Sequence, residues 1–132
     1  MGTMRYLLDT HTFLWAVRES HKLSENAHKI VTNKSIQKFV SAVSAYEIMN
    51  KYRLGKLQDY MNVAENYFYV LNEFGASKLP INEQHTYFAG KFEWGHRDPF
   101  DRLLAAQAFT EELTLITNDP AFQTLPWVNV LW

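Results

Sequence analysis

Carboxylates recur at the ends of the most apolar stretches of this chain. Asp9 follows Arg5–Leu8 (RYLL), and Glu47 lies one helical turn beyond Lys38–Val43 (KFVSAV). Asp119 stands two residues after Leu113–Thr117 (LTLIT), while Asp98 and Asp101 open the segment that leads into LTLIT. Acids gathered in one place repel one another and raise each other's pKa unless a cation neutralises them. Hard divalent ions that prefer oxygen ligands, magnesium or manganese, suit such a group better than zinc or copper. An ion held there lowers the pKa of bound water, orients it in line with a phosphodiester and stabilises the leaving oxygen. That chemistry needs no thiol, and the chain contains no cysteine.

Each acid taken singly has a simpler reading. Ser44-Ala45-Tyr46-Glu47 has the form of a capping box. Asp98-Pro99-Phe100-Asp101 reads as an Asp cap, a Pro at the first helical position and an acid in the first turn. Asp9-Thr10 and Asp119-Pro120 read the same way. A cap, however, needs only its own helix. Convergence of all the acids on one rim is what separates a metal site from a set of caps.

The elements that must bring them together follow from periodicity. Arg5–Leu8, Lys38–Val43, Leu113–Thr117 and Val128–Leu131 read as strands, with Lys78–Ile81 a weaker one whose Pro80 suits a sheet edge. Between them, Thr10–Val17, Leu23–Val31 with Ser24 as cap, Ser44–Leu54, Asp59–Phe74, Asn82–Gly90 and Phe100–Glu111 read as helices. Gly55 and Gly75 are stop signals. Strands alternating with helices predict one α/β domain over 1–132, with a mostly parallel sheet of four to five strands flanked by helices. In such sheets the functional crevice lies beyond the carboxyl ends of the strands, where the acids sit.

Composition narrows the class further. With 132 residues, 47% hydrophobic and 20% charged, the chain reads as an ordinary globular protein rather than a disordered one. The absence of cysteine excludes disulfides, thiolate catalysis and Cys-based zinc or iron–sulfur sites, and suits a cytoplasmic location. The N-terminus lacks a signal-peptide pattern, and no apolar run approaches the roughly 18 residues of a membrane span. The formal charge of −1 announces no global nucleic-acid affinity, so any contact with RNA phosphate must be local.

Leu7-Leu8-Asp9-Thr10-His11, Ser41–Ile48 (SAVSAYEI), His96–Ala108 (HRDPFDRLLAAQA) and Ile116-Thr117-Asn118-Asp119 follow one another along the chain. Together these four blocks resemble the PIN-domain family, and within it the VapC-type toxins of bacterial toxin–antitoxin pairs. The resemblance implies a PIN-like parallel sheet between helices and a magnesium-dependent ribonuclease, with manganese as a possible substitute. It matches Asp9, Glu47, Asp101 and Asp119 to the family's acids, with Asp98 either an outer ligand or the helix cap. Thr117 and Asn118 are supporting residues that hydrogen-bond a metal-bound water in the family's manner. The implied partners are RNA, a cognate antitoxin and a second copy of the chain, and no membrane.

Around these blocks, Arg97, Arg102, Lys51 and Arg53 are candidate phosphate contacts, with a solvated helix face or an Arg102–Asp101 ion pair as the alternative. His11 and His96 adjoin the acids, and a positioning hydrogen bond is the favoured role over ligation. Tyr60, Tyr67, Phe68 and Tyr69 read as core or interface. Two other functions compete with nuclease action. One is a catalytically idle module that binds RNA or protein. The other is an aspartate-dependent phosphatase using Asp9, which His11 disfavours by standing where a second acid is wanted.

Overall fold

The computed structural model describes residues 4–132. Five strands, β1 (Tyr6–Leu8), β2 (Lys38–Ser41), β3 (Ser77–Leu79), β4 (Thr114–Ile116) and β5 (Val130–Leu131), form one sheet of order β3-β2-β1-β4-β5. Every pairing is parallel. Seven helices flank it among the described residues: α1 (Thr10–Arg18), α2 (Glu25–Thr32), α3 (Ala42–Arg53), α4 (Met61–Glu65), α5 (Tyr67–Phe74), α6 (Glu83–Lys91) and α7 (Pro99–Thr110). None of them is long and apolar enough to cross a membrane.

A parallel sheet covered on both faces should have apolar central strands. β1 and the Leu115–Ile116 end of β4 are so, whereas β2 carries Lys38 and Ser41 and the edge strand β3 carries Ser77 and Lys78. Period-two alternation then sends neighbours to opposite layers. Leu8, Val40 and Ile116 pack with Phe13, Leu14, Ile30, Ile48, Val63 and Leu71. Leu7 and Leu115 pack on the other face with Leu104, Ala105, Ala108, Phe122 and Val128. The small Ala105 and Ala108 turn α7 toward this second layer without bulk.

Register sets the site. Leu8 pairs with both Val40 and Ile116, so Asp9, Ser41 and Thr117 leave the sheet side by side at its carboxyl edge. The Asp9 amide donates to the Ile116 carbonyl at 3.1 Å, which ties that edge together.

Several element ends shift by a residue or two, and three differences from the sequence reading have a physical cause. β2 ends at Ser41 and α3 starts at Ala42, because the Ser41 hydroxyl accepts from the Val43 amide and is the true cap. The expected Ser44–Glu47 capping box is therefore absent. Ser44 is buried one turn inside α3, with its hydroxyl 2.8 Å from that of Thr10. The single helix expected over Asp59–Phe74 is instead a short 3-10 turn, α4 and α5, broken at Asn66. There the Asn66 side-chain amide donates to the Asn62 carbonyl and side chain, a local alternative to helix continuation. The apolar stripe survives the break, since Val63 and Leu71 are still buried and Tyr67, Val70 and Phe74 still pack on the same cluster. β3 is an edge strand as expected, but it ends at Leu79, leaving Pro80 just outside.

Ser41 also donates to the Gln107 side-chain oxygen at 2.5 Å, so one hydroxyl both starts α3 and joins it to α7. Replacing Ser41 by Ala removes a cap and strands a buried acceptor. Urea unfolding should show a loss of about 1–3 kcal/mol.

Candidate active site

Asp9 occupies the residue before α1 but makes no cap bond there. Its Oδ2 instead accepts a hydrogen bond of 2.6 Å from the Thr117 hydroxyl, across the sheet edge. Thr117 is fully buried and its oxygen also accepts from the Asp119 amide at 3.0 Å. This one hydroxyl thus orients two acids.

Glu47 projects from the second turn of α3 and is 6% exposed. The Thr10–Ser44 hydroxyl contact holds α1 against α3, which brings Glu47 beside Asp9. Its Oε2 accepts from Lys51 Nζ at 2.6 Å. Its Oε1 is buried with no hydrogen-bond partner, the sole such side-chain atom among the described residues. A buried oxygen left unpaired costs free energy, and a cation is what a second carboxylate oxygen in an acidic pocket accepts best.

Asp101 stands in the first turn of α7, 2.6 Å from His96 Nε2. Asp98 is the cap of this helix, its Oδ1 accepting from the Phe100 and Asp101 amides at 2.8 and 3.3 Å. Capping does not remove Asp98 from the site. Ligand atoms of His96, Asp98 and Asp101 all lie within 4.8 Å of one another, the spacing of a group able to hold a metal ion. Asp119 likewise caps, accepting from the Ala121 amide at 3.0 Å.

The five acids meet in one cleft of about 380 Å³, lined also by His11, Trp15, Lys51, Asn118 and Pro120. Asp9, Glu47, Asp98, Asp101 and Asp119 are therefore neighbours, and the capping reading fails outright for Asp9 and Glu47. His96 holds the hydrogen-bonding position expected of it. Lys51, read from the sequence as a phosphate contact or part of a solvated helix face, is bonded to Glu47 inside the cleft. Trp15 and Pro120 were not singled out by the sequence. The helical offset of Trp15 from Asp9 was the available signal.

Other expected contacts lie elsewhere. Arg102 forms no ion pair with Asp101. Its guanidinium donates to the Ala89 and Phe92 carbonyls at 2.9 and 2.5 Å and lies over the Phe92 ring, so it fastens the end of α6 to α7. Arg53 bonds Asn50 at an exposed position, and Arg97 is exposed between His96 and Asp98. Of the aromatic group, Tyr60 is buried and bonded to Glu19, whereas Phe68 and Tyr69 are exposed.

The electrostatics carry the mark of crowding. Burial, with Glu47 adding to it, raises the Asp9 pKa despite the Thr117 bond. Burial pushes Asp101 up to about 6, helped by Asp98 and Asp9 and opposed by its His96 bond. Burial lowers Lys51, but its bond to Glu47 and the charges of Glu47, Asp98 and Asp101 more than offset this and raise it. Lys51 is the resident counter-ion of the cluster.

The sequence profile of the PIN domain family matches residues 6–128. The chain belongs to that family. No curated relative matches the sequence. The fold of this PIN domain is similar to several solved structures. A chain of DNA-bound VapBC from Salmonella typhimurium aligns with a TM-score of 0.70 at 19% identity, over 98% of both chains. VapBC-1 from nontypeable Haemophilus influenzae gives 0.68 at 22%, over 97% of both. VapBC2 from Rickettsia felis, bound to a promoter DNA fragment, gives 0.67 at 20%, over 97% of this chain and 98% of that one.

The crowding predicts a pH dependence. Between the ordinary 3.8 and about 6, folded Asp101 binds a proton that the unfolded chain releases. Its contribution to stability therefore falls as pH rises through that window. In metal-free buffer, the Asp101→Asn variant should gain thermal stability relative to the parent as pH rises from about 4 to about 7. Differential scanning calorimetry on both proteins checks the sign, and a shrinking difference contradicts it.

Proposed function

We propose that this PIN domain is a metal-dependent endoribonuclease and the toxin of a toxin–antitoxin pair. The observation that carries the reading is a buried, unpartnered Glu47 oxygen in a cleft shared by four other acids. Carboxylates are the main oxygen donors of the cleft, beside His11, His96 and Asn118, and this set favours magnesium, with manganese as substitute. Asp9, Glu47 and Asp101 would hold the ion, with Asp119 and Asp98 at its margin. The bound ion supplies an activated water and charge stabilisation for phosphodiester hydrolysis.

The chain's own residues prepare for this. Thr117 sets the orientation of Asp9, and His96 that of Asp101. Lys51 balances part of the negative charge through its bond to Glu47, and Asn118, exposed beside Asp119, lines the same cleft. Arg97, exposed between His96 and Asp98, adds positive charge beside the cleft of a chain whose net charge is −1. The toxin role is supported by the fold likeness to structures described as VapBC, and by the FitAcB structure from Neisseria gonorrhoeae at TM-score 0.67. A cognate antitoxin, a second copy of the chain and a cytoplasmic setting complete the proposal.

Two measurements test it. Asp9→Asn should abolish cleavage of single-stranded RNA, about a thousandfold or more, while the circular dichroism spectrum is retained. Magnesium or manganese should raise the melting temperature of the parent, since an ion at about 100 times its Kd adds roughly 2.7 kcal/mol. The absence of any stabilisation at millimolar metal would favour an idle binding module instead.

A further inference from the structure

Two large aromatic side chains stand one residue before two acids of the cleft. Tyr46 precedes Glu47 on α3, and Phe100 precedes Asp101 on α7. Their rings meet across the two helices, with centroids 5.6 Å apart and planes inclined at 43°. Glu47 and Asp101 line the cleft, while Tyr46 and Phe100, one residue before each, meet on the α3–α7 seam outside its lining.

Tyr46 is 65% exposed although the residue after it is buried. Phe100 is half-buried and contributes to the core on the α7 side of the sheet. The pair is thus a solvent-facing ring supported from behind by a fixed one. If the cleft hydrolyses a phosphodiester as proposed, a free ring surface on the adjoining seam suits a nucleobase, because every base offers a π-face and stacking on an aromatic needs no particular sequence.

We propose that Tyr46, backed by Phe100, is a nucleobase-stacking platform that seats an unpaired nucleotide next to the carboxylates. This rests on the nuclease reading and deepens it. A base can reach an exposed ring only when it is not stacked within a duplex, so the platform selects single-stranded segments. Phosphate placement falls to the ion and the neighbouring cations, and the ring fixes which nucleotide precedes or follows the cut.

The test uses a mixed-sequence single-stranded oligoribonucleotide carrying 2-aminopurine, bound to the uncleaving Asp9→Asn protein in magnesium. Tyr46→Ala in that background should weaken binding about tenfold and abolish the quenching of 2-aminopurine, whereas Tyr46→Phe keeps both. In the active chain, Tyr46→Ala should raise KM by a similar factor with kcat little changed. A duplex of the same sequence should be bound equally by all three proteins.

Equal single-strand binding by the Ala variant and its parent overturns the platform, as does an equal loss in Phe and Ala variants. A changed sedimentation coefficient in the Ala variant, with RNA binding intact, overturns it in favour of a protein contact. Quenched binding that depends on Tyr46, in a parent chain that cleaves no RNA, would sink the nuclease reading and uphold the platform.

Discussion

The structure turns on the mutual repulsion of carboxylates packed into one partly dry cleft. Asp9 and Glu47 are almost wholly buried, and Asp101 is mostly so. Burial disfavours the ionised form of each, and neighbours of like charge disfavour it further. The fold tolerates this only because other contacts hold the acids in place. A continuous apolar core on both faces of the sheet anchors β1 and β4, from whose ends Asp9 and Thr117 emerge. Thr117, His96 and Lys51 then each supply a donor to one acid. Among the described residues, the one buried side-chain oxygen left without a partner is on Glu47.

Two kinds of acid share the cleft. Asp98 and Asp119 accept backbone amides at the starts of helical turns, which fixes one oxygen of each and leaves the other toward the site. Such caps contribute about 1 kcal/mol apiece, so these residues favour folding even without a metal. Asp9 and Glu47 are held instead by side chains, Asp9 by the Thr117 hydroxyl and Glu47 by Lys51, and each is more deeply buried than the two capping acids. Arg102 shows the converse case. A charged residue next to a catalytic candidate is used wholly for holding two helices together, through carbonyls and a ring face.

Much of this was readable from the chain. The apolar strands, their alternation with helices and the acids at their carboxyl ends define a parallel α/β fold and the site-bearing edge, because periodicity and burial are local properties. The HRDPFDRLLAAQA block, with the three others, carries the family. Element boundaries were less legible where side chains compete with backbone. Ser41 and Ser44 are both plausible caps, and only the 2.5 Å bond from Ser41 to Gln107, sixty-six residues away, accompanies the choice of the first. Asn66 breaks a helix whose apolar stripe runs on unbroken, so periodicity could not reveal it.

For the site, residue types and spacing determined which acids were available and which strand ends they follow. Tertiary structure alone decided that they meet, since capping and metal binding ask for the same residues at the same helix starts. It also decided the roles of the cations. Lys51 turns inward to Glu47 and Arg102 to the α6 carbonyls, while Arg97 and Arg53 stay in solvent. A long flexible side chain reaches partners from several elements, and its sequence neighbours do not determine which it takes.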